Sequence, residues 1–338
     1  MSRITREYIK SLPKAELHLH LEGSLEPELM FKLAERNKIR LNYSGIEEIK
    51  KAYKFSNLQS FLDIYYQGAK VLCTADDFYD LTTAYLQRCK EDGIDHVEPF
   101  FDPQTHLERG VALEAQLEGI GNALRDAGSR WGMSYGLILS ILRHLPVEEG
   151  MKVYEMARPH IGEFIGIGLD SSERNNPPRK FAPIYEAARA DGLRVVAHAG
   201  EEGPPSYVWE ALNSLRVQRI DHGVRALEDG KLVDHLIERQ IPLTVCPNSN
   251  IRLKVYGKMA DHPILRMLEQ GMNVSINSDD PAYFGGYLID NFLAVDEALG
   301  MSRKEAAQLA RNSIAAAFID PDRKAQLLAR LPIRELQS

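Results

Sequence analysis

Short runs of apolar and β-branched residues alternate along this chain with longer segments whose apolar positions recur every three to four residues. The short runs predict strands over Glu16–His20, Ile94–Phe101, Ser134–Leu142, Phe164–Leu169, Val195–His198, Gln218–His222, Leu243–Cys246 and Asn273–Ser278. All but the first are rich in β-branched or aromatic residues or read as continuous apolar runs, as strands covered on both faces do, whereas ELHLH alternates. The longer segments predict helices over Pro27–Asn37, Asp76–Asp92, Leu113–Gly128, Val147–Ala157, Lys180–Asp191, Tyr207–Ser214, Lys231–Arg239, Pro263–Gln270 and Asn291–Leu299. Pro27 suits a first helical turn, and Phe78, Leu81, Tyr85 and Cys89 fall on one helical stripe. Strand and helix in repeated alternation predict an α/β fold, a (β/α)8 TIM-type barrel. An open doubly wound sheet usually carries a phosphate loop, and neither GxGxxG nor GxxxxGK[ST] occurs. Residues 40–75 stand outside the pattern as an added helical lid, and the chain from Ser302 onward adds C-terminal helices. No Gly/Ser-rich linker, charge block or short repeat divides the chain, so residues 1–338 are expected to form one barrel domain.

Composition narrows the function classes. Apolar residues make up 44% and charged residues 26% of 338 residues, which excludes a disordered chain. A net charge of -7 without a basic run argues against nucleic acid as a partner. No apolar stretch reaches the roughly 18 residues that span a bilayer, and the N-terminus lacks the apolar core of a secretory signal. Cys73, Cys89 and Cys246 form no CxxC and are odd in number, which fits reduced thiols. The expectation is a soluble, cytoplasmic protein; assembly into a homo-oligomer stays open.

The chemistry concentrates where the predicted strands end. A barrel carries its catalytic groups at the C-terminal ends of its strands. Here those ends read His18-Leu19-His20, His198-Ala199-Gly200-Glu201, Asp221-His222-Gly223 and Ser278-Asp279-Asp280-Pro281. Residues two apart in a strand share a face, so His18 and His20 project together. With His198 and Asp279 at equivalent depth, and the eighth strand closing beside the first, three imidazoles and a carboxylate suit one zinc ion with a position left open. Zinc lowers the pKa of a coordinated water to roughly 7, and His222 is placed to orient or deprotonate it. Glu201 reaches the same mouth, although a helix N-cap would also explain it. Asp280 is free to bond a substrate N–H, or else supports a ligand histidine.

Other histidines carry less. His96-Val97-Glu98 matches half of a cytidine-type deaminase signature, but no PCxxC follows. His144, His160, His235 and His262 read as surface or capping residues, and His106 stays open. No lysine ends the fourth strand, so a carbamylated two-metal site has no candidate.

The motifs PKAELHLHLEGSLEP, HAGEEG, RIDHG, CPNSN and NSDDPAYFGG, in this order over nearly the whole chain, resemble the adenosine/adenine deaminase family of the amidohydrolase superfamily. That resemblance implies a single-zinc barrel that hydrolyses the amino group from C6 of a purine. It implies His18, His20, His198 and Asp279 as zinc ligands, Glu201 as proton donor to ring N1, and His222 as the group that orients or activates the water. It further implies that Asp280 bonds N7 and that the Gly168 backbone lies near N3. Glu201 must then be protonated near neutral pH, which burial or neighbouring negative charge would achieve.

Two departures from the adenosine-specific pattern point to adenine. Glu22 stands where an aspartate holds the ribose, and Pro99-Phe100-Phe101-Asp102-Pro103-Gln104 replaces an Arg-Tyr-Ser-Pro run. The expectation is conversion of adenine to hypoxanthine and ammonia in purine salvage, with Glu22 and Phe100–Phe101 filling the ribose space. Asn248, where an apolar residue is common, leaves N6-substituted adenines open at the pocket edge. Adenosine as substrate, and a non-catalytic purine-binding role, are the competing readings.

Overall fold

The computed structural model describes residues 4–332. Its ladder segments, in chain order, are β1 (Ala15–Glu16), β2 (His96–Val97), β3 (Phe100–Phe101), β4 (Ser134–Tyr135), β5 (Ile138–Leu142), β6 (Gly166–Asp170), β7 (Arg194–Ala199), β8 (Arg219–His222), β9 (Leu243–Val245) and β10 (Val274–Ile276). They pair in two runs, β1-β2-β4 and β10-β9-β8-β7-β6-β5-β3. Each pairing is parallel. Pro99 has no N–H to give, so one continuous stave is recorded as β2 and β3. Its carbonyl still accepts from Ile138 at 3.0 Å, which carries β4 into β5 as a single stave. Eight staves result, as the alternation predicts.

The two runs close on each other through the first stave. Leu19 bridges Asp279 and His20 bridges Phe100, both in parallel. The His20 N–H donates to the Asp279 carbonyl at 3.0 Å, and the Asp279 N–H donates to the His18 carbonyl at 3.0 Å. Just before this seam, Leu17 N–H donates to the Asn277 side chain at 2.9 Å rather than to a strand carbonyl. That substitution is why the regular ladder of the first stave ends at Glu16, earlier than ELHLH suggests.

Helix boundaries follow local chemistry. The helix Ala75–Glu91 opens on a Thr74/Asp77 capping box. Lys180–Asp191 divides into a 3-10 turn, Pro178–Phe181, and a helix, Ala182–Ala190, because Pro183 fits only a first turn. The predicted Tyr207–Ser214 is a helix over Pro205–Glu210 followed by a π turn. Three one-turn helices were not expected: Pro103–Leu107, Pro247–Arg252 and Pro281–Phe284. Each starts on a proline directly after a stave end. The preceding residues Asp102, Cys246 and Asp280 share nearly one backbone conformation, with φ of -107, -120 and -118 and ψ of 80, 84 and 75. Proline excludes the helical region for the residue before it, so the chain turns sharply and sends that side chain off the stave end.

The expected lid comprises helices Ile46–Ala52 and Leu58–Gly68. The second buries Leu58, Phe61, Leu62 and Tyr65 toward the barrel mouth and is tied to the rim by Tyr65 Oη to Asp102 Oδ2 at 3.2 Å and Tyr66 Oη to Ser171 Oγ at 3.0 Å. C-terminal helices Arg303–Ala316 and Pro321–Ala329 follow. The first packs on the seam, with Ser313 Oγ accepting the Ala15 N–H at 2.9 Å. Below the mouth, Arg219 Nη1 donates to Glu98 Oε2 at 2.6 Å, with His96 Nε2 2.9 Å from Glu98 Oε1 and the guanidinium 4.7 Å above the Phe318 ring. The HxE sequence is thus part of a buried structural ion pair. No described helix is long and apolar enough to cross a membrane.

Candidate active site

The stave ends converge on a cavity of about 400 Å³, including its mouth. His18 and His20 leave the first stave on the same face, and Asp279 meets them from the eighth. His18 Nε2 lies 3.3 Å and His20 Nε2 3.5 Å from Asp279 Oδ1, and His20 Nε2 faces His198 Nε2 at 3.2 Å. Their ligand-type atoms all lie within 4.8 Å of one another. His222 and Asp279 both have left-handed backbones, φ 65 and 64, at the ends of their staves. Such strained conformations in non-glycine residues cluster where function demands them.

The donor set fits a metal. Neighbouring donors around a tetrahedral zinc stand about 3.3 Å apart, given bonds of roughly 2.0–2.1 Å. Two imidazole nitrogens facing each other at 3.2 Å, and a buried His18 Nε2 without a hydrogen bond, are what a shared cation satisfies. The outer nitrogens turn to acceptors behind. His18 Nδ1 is 3.1 Å from the Thr244 carbonyl, His20 Nδ1 is 3.5 Å from Asp170, and His198 Nδ1 is 3.7 Å from Asp221. Thr244 Oγ1 in turn donates to Asp221 at 2.8 Å. Outer partners of this kind hold each Nε2 toward the centre. Two overlapping groups also meet the distance test: His18, His222, Cys246 and Asp279, and His20, Asp102 and Asp170. In the first, burial pushes the Cys246 thiol well above its usual range.

Beside this cluster the carboxyl groups divide. Burial alone would raise Asp279, but His18, then His222 and His20, hold it well below the usual range. Burial, reinforced by Asp279 and Glu173, pushes Glu201 well above it. Burial and then Asp279 do the same to Asp280. Burial, followed by the His18 charge, depresses His222 to about 3. Glu201 Oε2 lies 3.6 Å from His222 Nε2, the carboxyl raised and the imidazole lowered by burial. The loop carrying Glu201 is fixed by Glu173, which accepts the N–H groups of Gly200, Glu201, Glu202 and Gly203 at 2.7, 3.1, 2.9 and 2.6 Å.

His20, His198, Glu201, His222, Asp279 and Asp280 all line the cavity. His18 is fully buried behind them and is not among the lining residues. Asp280 sits against Gly23, where a Cβ would fall 1.9 Å from Asp280 Oδ1, so that position has room for glycine alone. Glu22 and Gly168 are not among the lining residues. The Glu22 side chain is turned away, with Oε1 accepting from His106 Nε2 at 2.7 Å and from the Asp102 N–H at 3.3 Å. Gly168 pairs with Ser140 inside the barrel wall and packs beneath the Phe100 ring. The fourth stave reaches the cavity two residues later, with Asp170 and Ser171. Phe100 packs against His18 and His20, at ring distances of 5.4 and 5.1 Å, and supports the cluster from below. Asn248 gives its N–H to Asn291 and lies off the cavity edge. His106 and His262 are buried rather than surface residues, and His262 accepts the Ile264 N–H at 3.3 Å at a helix start.

Sequence reasoning passed over Asp102, Asp170, Glu173 and the lid aromatics Phe61, Tyr65 and Tyr66. For Asp102 a signal existed: Asp-Pro ends the second stave just as Asp280-Pro281 ends the eighth.

A barrel mouth that gathers a buried His/Asp cluster beside a buried carboxyl belongs to a hydrolase of the amidohydrolase type. The chain is a member of the adenosine deaminase family, which it matches over residues 13–332. Among its relatives, the adenine deaminase of Hahella chejuensis is 56% identical over 326 residues, 96% of this chain and 98% of that one. The crystal structure of an adenine deaminase from Arthrobacter aurescens superposes with a TM-score of 0.94 at 50% identity, covering 97% of this chain and 100% of the other. An amidohydrolase from Burkholderia ambifaria with bound Zn superposes at 0.89 with 27% identity, covering 99% and 94%.

Proposed function

We propose that this chain is an adenine deaminase that converts adenine to hypoxanthine and ammonia in purine salvage, as one cytoplasmic barrel unit with a small purine as its partner. The observation that carries the reading is geometric: Glu201 Oε2 lies 3.6 Å from His222 Nε2, beside the buried His18, His20, His198 and Asp279 cluster. Addition of water to an electron-rich ring carbon needs that pairing of acid and base. The adenine deaminases named above, similar over nearly their whole length, support the substrate.

His18, His20, His198 and Asp279 would hold one zinc ion, which when bound supplies Lewis-acid activation of water. Glu201 donates its proton to ring N1 and so draws electron density from C6. His222, neutral and facing the same point, takes a proton from the attacking water as oxygen bonds to C6. Asp280 in its protonated form donates to N7 and holds the five-membered ring. The proton on His222 passes to the amino group, which leaves as ammonia. The hydroxyl proton on C6 returns to Glu201 as the carbonyl forms.

The test is an ultraviolet assay of the zinc-loaded protein on adenine, adenosine and N6-substituted adenines. Adenine should give hypoxanthine with far the highest kcat/KM. Equal efficiency on adenosine would overturn the adenine assignment, and turnover of none of them would overturn the reading as a whole.

A further inference from the structure

Asp102 lines the cavity, yet the reaction above gives it no task. It is buried at the end of the second stave, its Oδ2 takes the Tyr65 hydroxyl at 3.2 Å, and its Oδ1 is buried with no hydrogen-bond partner. Beside it Asp170 is likewise buried; its Oδ1 has no hydrogen-bond partner and its Oδ2 has only His20 Nδ1, 3.5 Å away. A buried polar group left unpaired is costly, so its partner is expected to arrive with a ligand.

The turn that aims Asp102 is held from outside the cavity. Its N–H donates to Glu22 Oε1 at 3.3 Å, His106 Nε2 lies 2.7 Å from the same oxygen, and Arg109 Nη2 lies 2.7 Å from His106 Nδ1. A guanidinium can only donate, so His106 accepts at Nδ1 and presents Nε2–H to Glu22. The chain Arg109–His106–Glu22 thus fixes the backbone from which Asp102 projects.

In an eight-staved barrel the second stave lies across from the sixth, which ends at His222. A purine with C6 toward His222, N1 toward Glu201 and N7 toward Asp280 turns its N3–N9 edge toward the second stave. In a free base N9 carries a hydrogen; in a nucleoside it carries the sugar.

We propose that Asp102, flanked by Asp170, accepts the N9–H of the free purine base and is the residue that selects base over nucleoside. The assignment rests on the reading of the site given under Proposed function. A carboxyl keeps an acceptor oxygen whether or not it is protonated, so recognition needs only the N–H. A nucleoside brings no such hydrogen and sets a carbon against a buried oxygen. Selectivity then lies with Asp102, and Glu22 acts through it as a positioning residue.

The experiment compares zinc-loaded wild type, Asp102→Ala and Asp102→Asn on adenine and 9-methyladenine. In parallel, Kd is measured for 6-methylpurine and 6,9-dimethylpurine, which differ at N9 and have no amino group to lose. Sites built around a substrate N–H reject analogues lacking it by up to about 10⁴–10⁵, so wild type should favour adenine over 9-methyladenine by at least about 10³. Asp102→Ala should lose most of that preference by losing adenine turnover while 9-methyladenine changes little. Asp102→Asn, which keeps a carbonyl acceptor, should retain much of it, and the Kd ratios should follow. Equal losses on both substrates and both ligands would overturn the proposal, as would a wild type indifferent to the N9 methyl. A second equivalent of zinc, retained by wild type and lost from Asp102→Asn, would assign His20, Asp102 and Asp170 to a cation and also overturn it. If wild type deaminates neither substrate, the proposed function fails, while the 6-methylpurine pair still decides the role of Asp102.

Discussion

His18 and Asp279 are joined twice: the Asp279 N–H donates to the His18 carbonyl at 3.0 Å, and the His18 Nε2 stands 3.3 Å from Asp279 Oδ1. The first contact closes the barrel and the second belongs to the candidate metal centre, so closure and metal affinity are linked. Binding to the native state alone stabilises by about 2.7 kcal/mol at a hundredfold excess over Kd. Chelation should therefore lower Tm and speed amide exchange at His20, Phe100 and Asp279, and His198→Ala should lose metal and turnover together. Metal analysis, exchange by mass spectrometry and activity on the same samples check this. Full activity in a metal-free preparation would contradict it.

Glu201→Gln keeps the side-chain shape and removes the acid. Zinc retention and purine binding should survive while kcat falls by at least about 10² to 10⁴, the usual worth of general acid catalysis. Glu201 is raised above the ordinary range, and as the proposed proton donor it would act protonated, so wild-type kcat should decline as pH rises through its elevated pKa. A variant of near wild-type rate would return Glu201 to a capping role.

Gly23→Ala tests the seat of Asp280. The added methyl would lie 1.9 Å from Asp280 Oδ1, so the carboxyl must swing away. A displacement of about 1 Å in a positioned group can cost about 10²-fold, and kcat/KM for adenine should fall on that order. An unchanged rate with intact folding by circular dichroism would show that Asp280 is dispensable.

The buried Arg219–Glu98 pair predicts an acid limb in stability. Burial would raise Glu98, but Arg219 and then His96 hold it down, from 4.5 to about 2. A depressed carboxylate contributes stability that is complete above its unfolded value and lost as pH falls from about 4.5 toward 2. Glu98→Gln should remove that slope. It should also cost up to roughly 3–5 kcal/mol at neutral pH by leaving the buried Arg219 with only the more distant Asp221, 3.8 Å away, as a counter-charge. Urea melts of both proteins at several pH values measure the two effects together.

The barrel could be read from the chain because buried parallel strands write themselves as apolar runs, and the punctuation between them is regular. The four histidines and two aspartates at the mouth could be read because they sit in or directly after the predicted strands, at ends where a packed core would place apolar residues. Asp102 and Glu22 could not be assigned in this way. Which of two nearby carboxylates enters a cavity depends on a single backbone turn, and the proline at 103 decides it for Asp102. Gly168 lies in the barrel wall, two residues before the fourth stave reaches the cavity at Asp170, for a related reason: a continuous apolar run shows that a strand is buried but not how far it travels before the mouth.

Glu173, with four backbone N–H groups converging on one carboxylate, occupies from within the chain the kind of concavity that loops elsewhere keep for phosphate. Those four bonds fix the backbone from which Glu201 projects. The opposite rim is built differently, with the Leu58–Gly68 helix held to the barrel through the hydroxyls of Tyr65 and Tyr66. The two rims are thus anchored by different means, a carboxylate under backbone N–H groups on the Glu201 side and side-chain hydroxyls on the other.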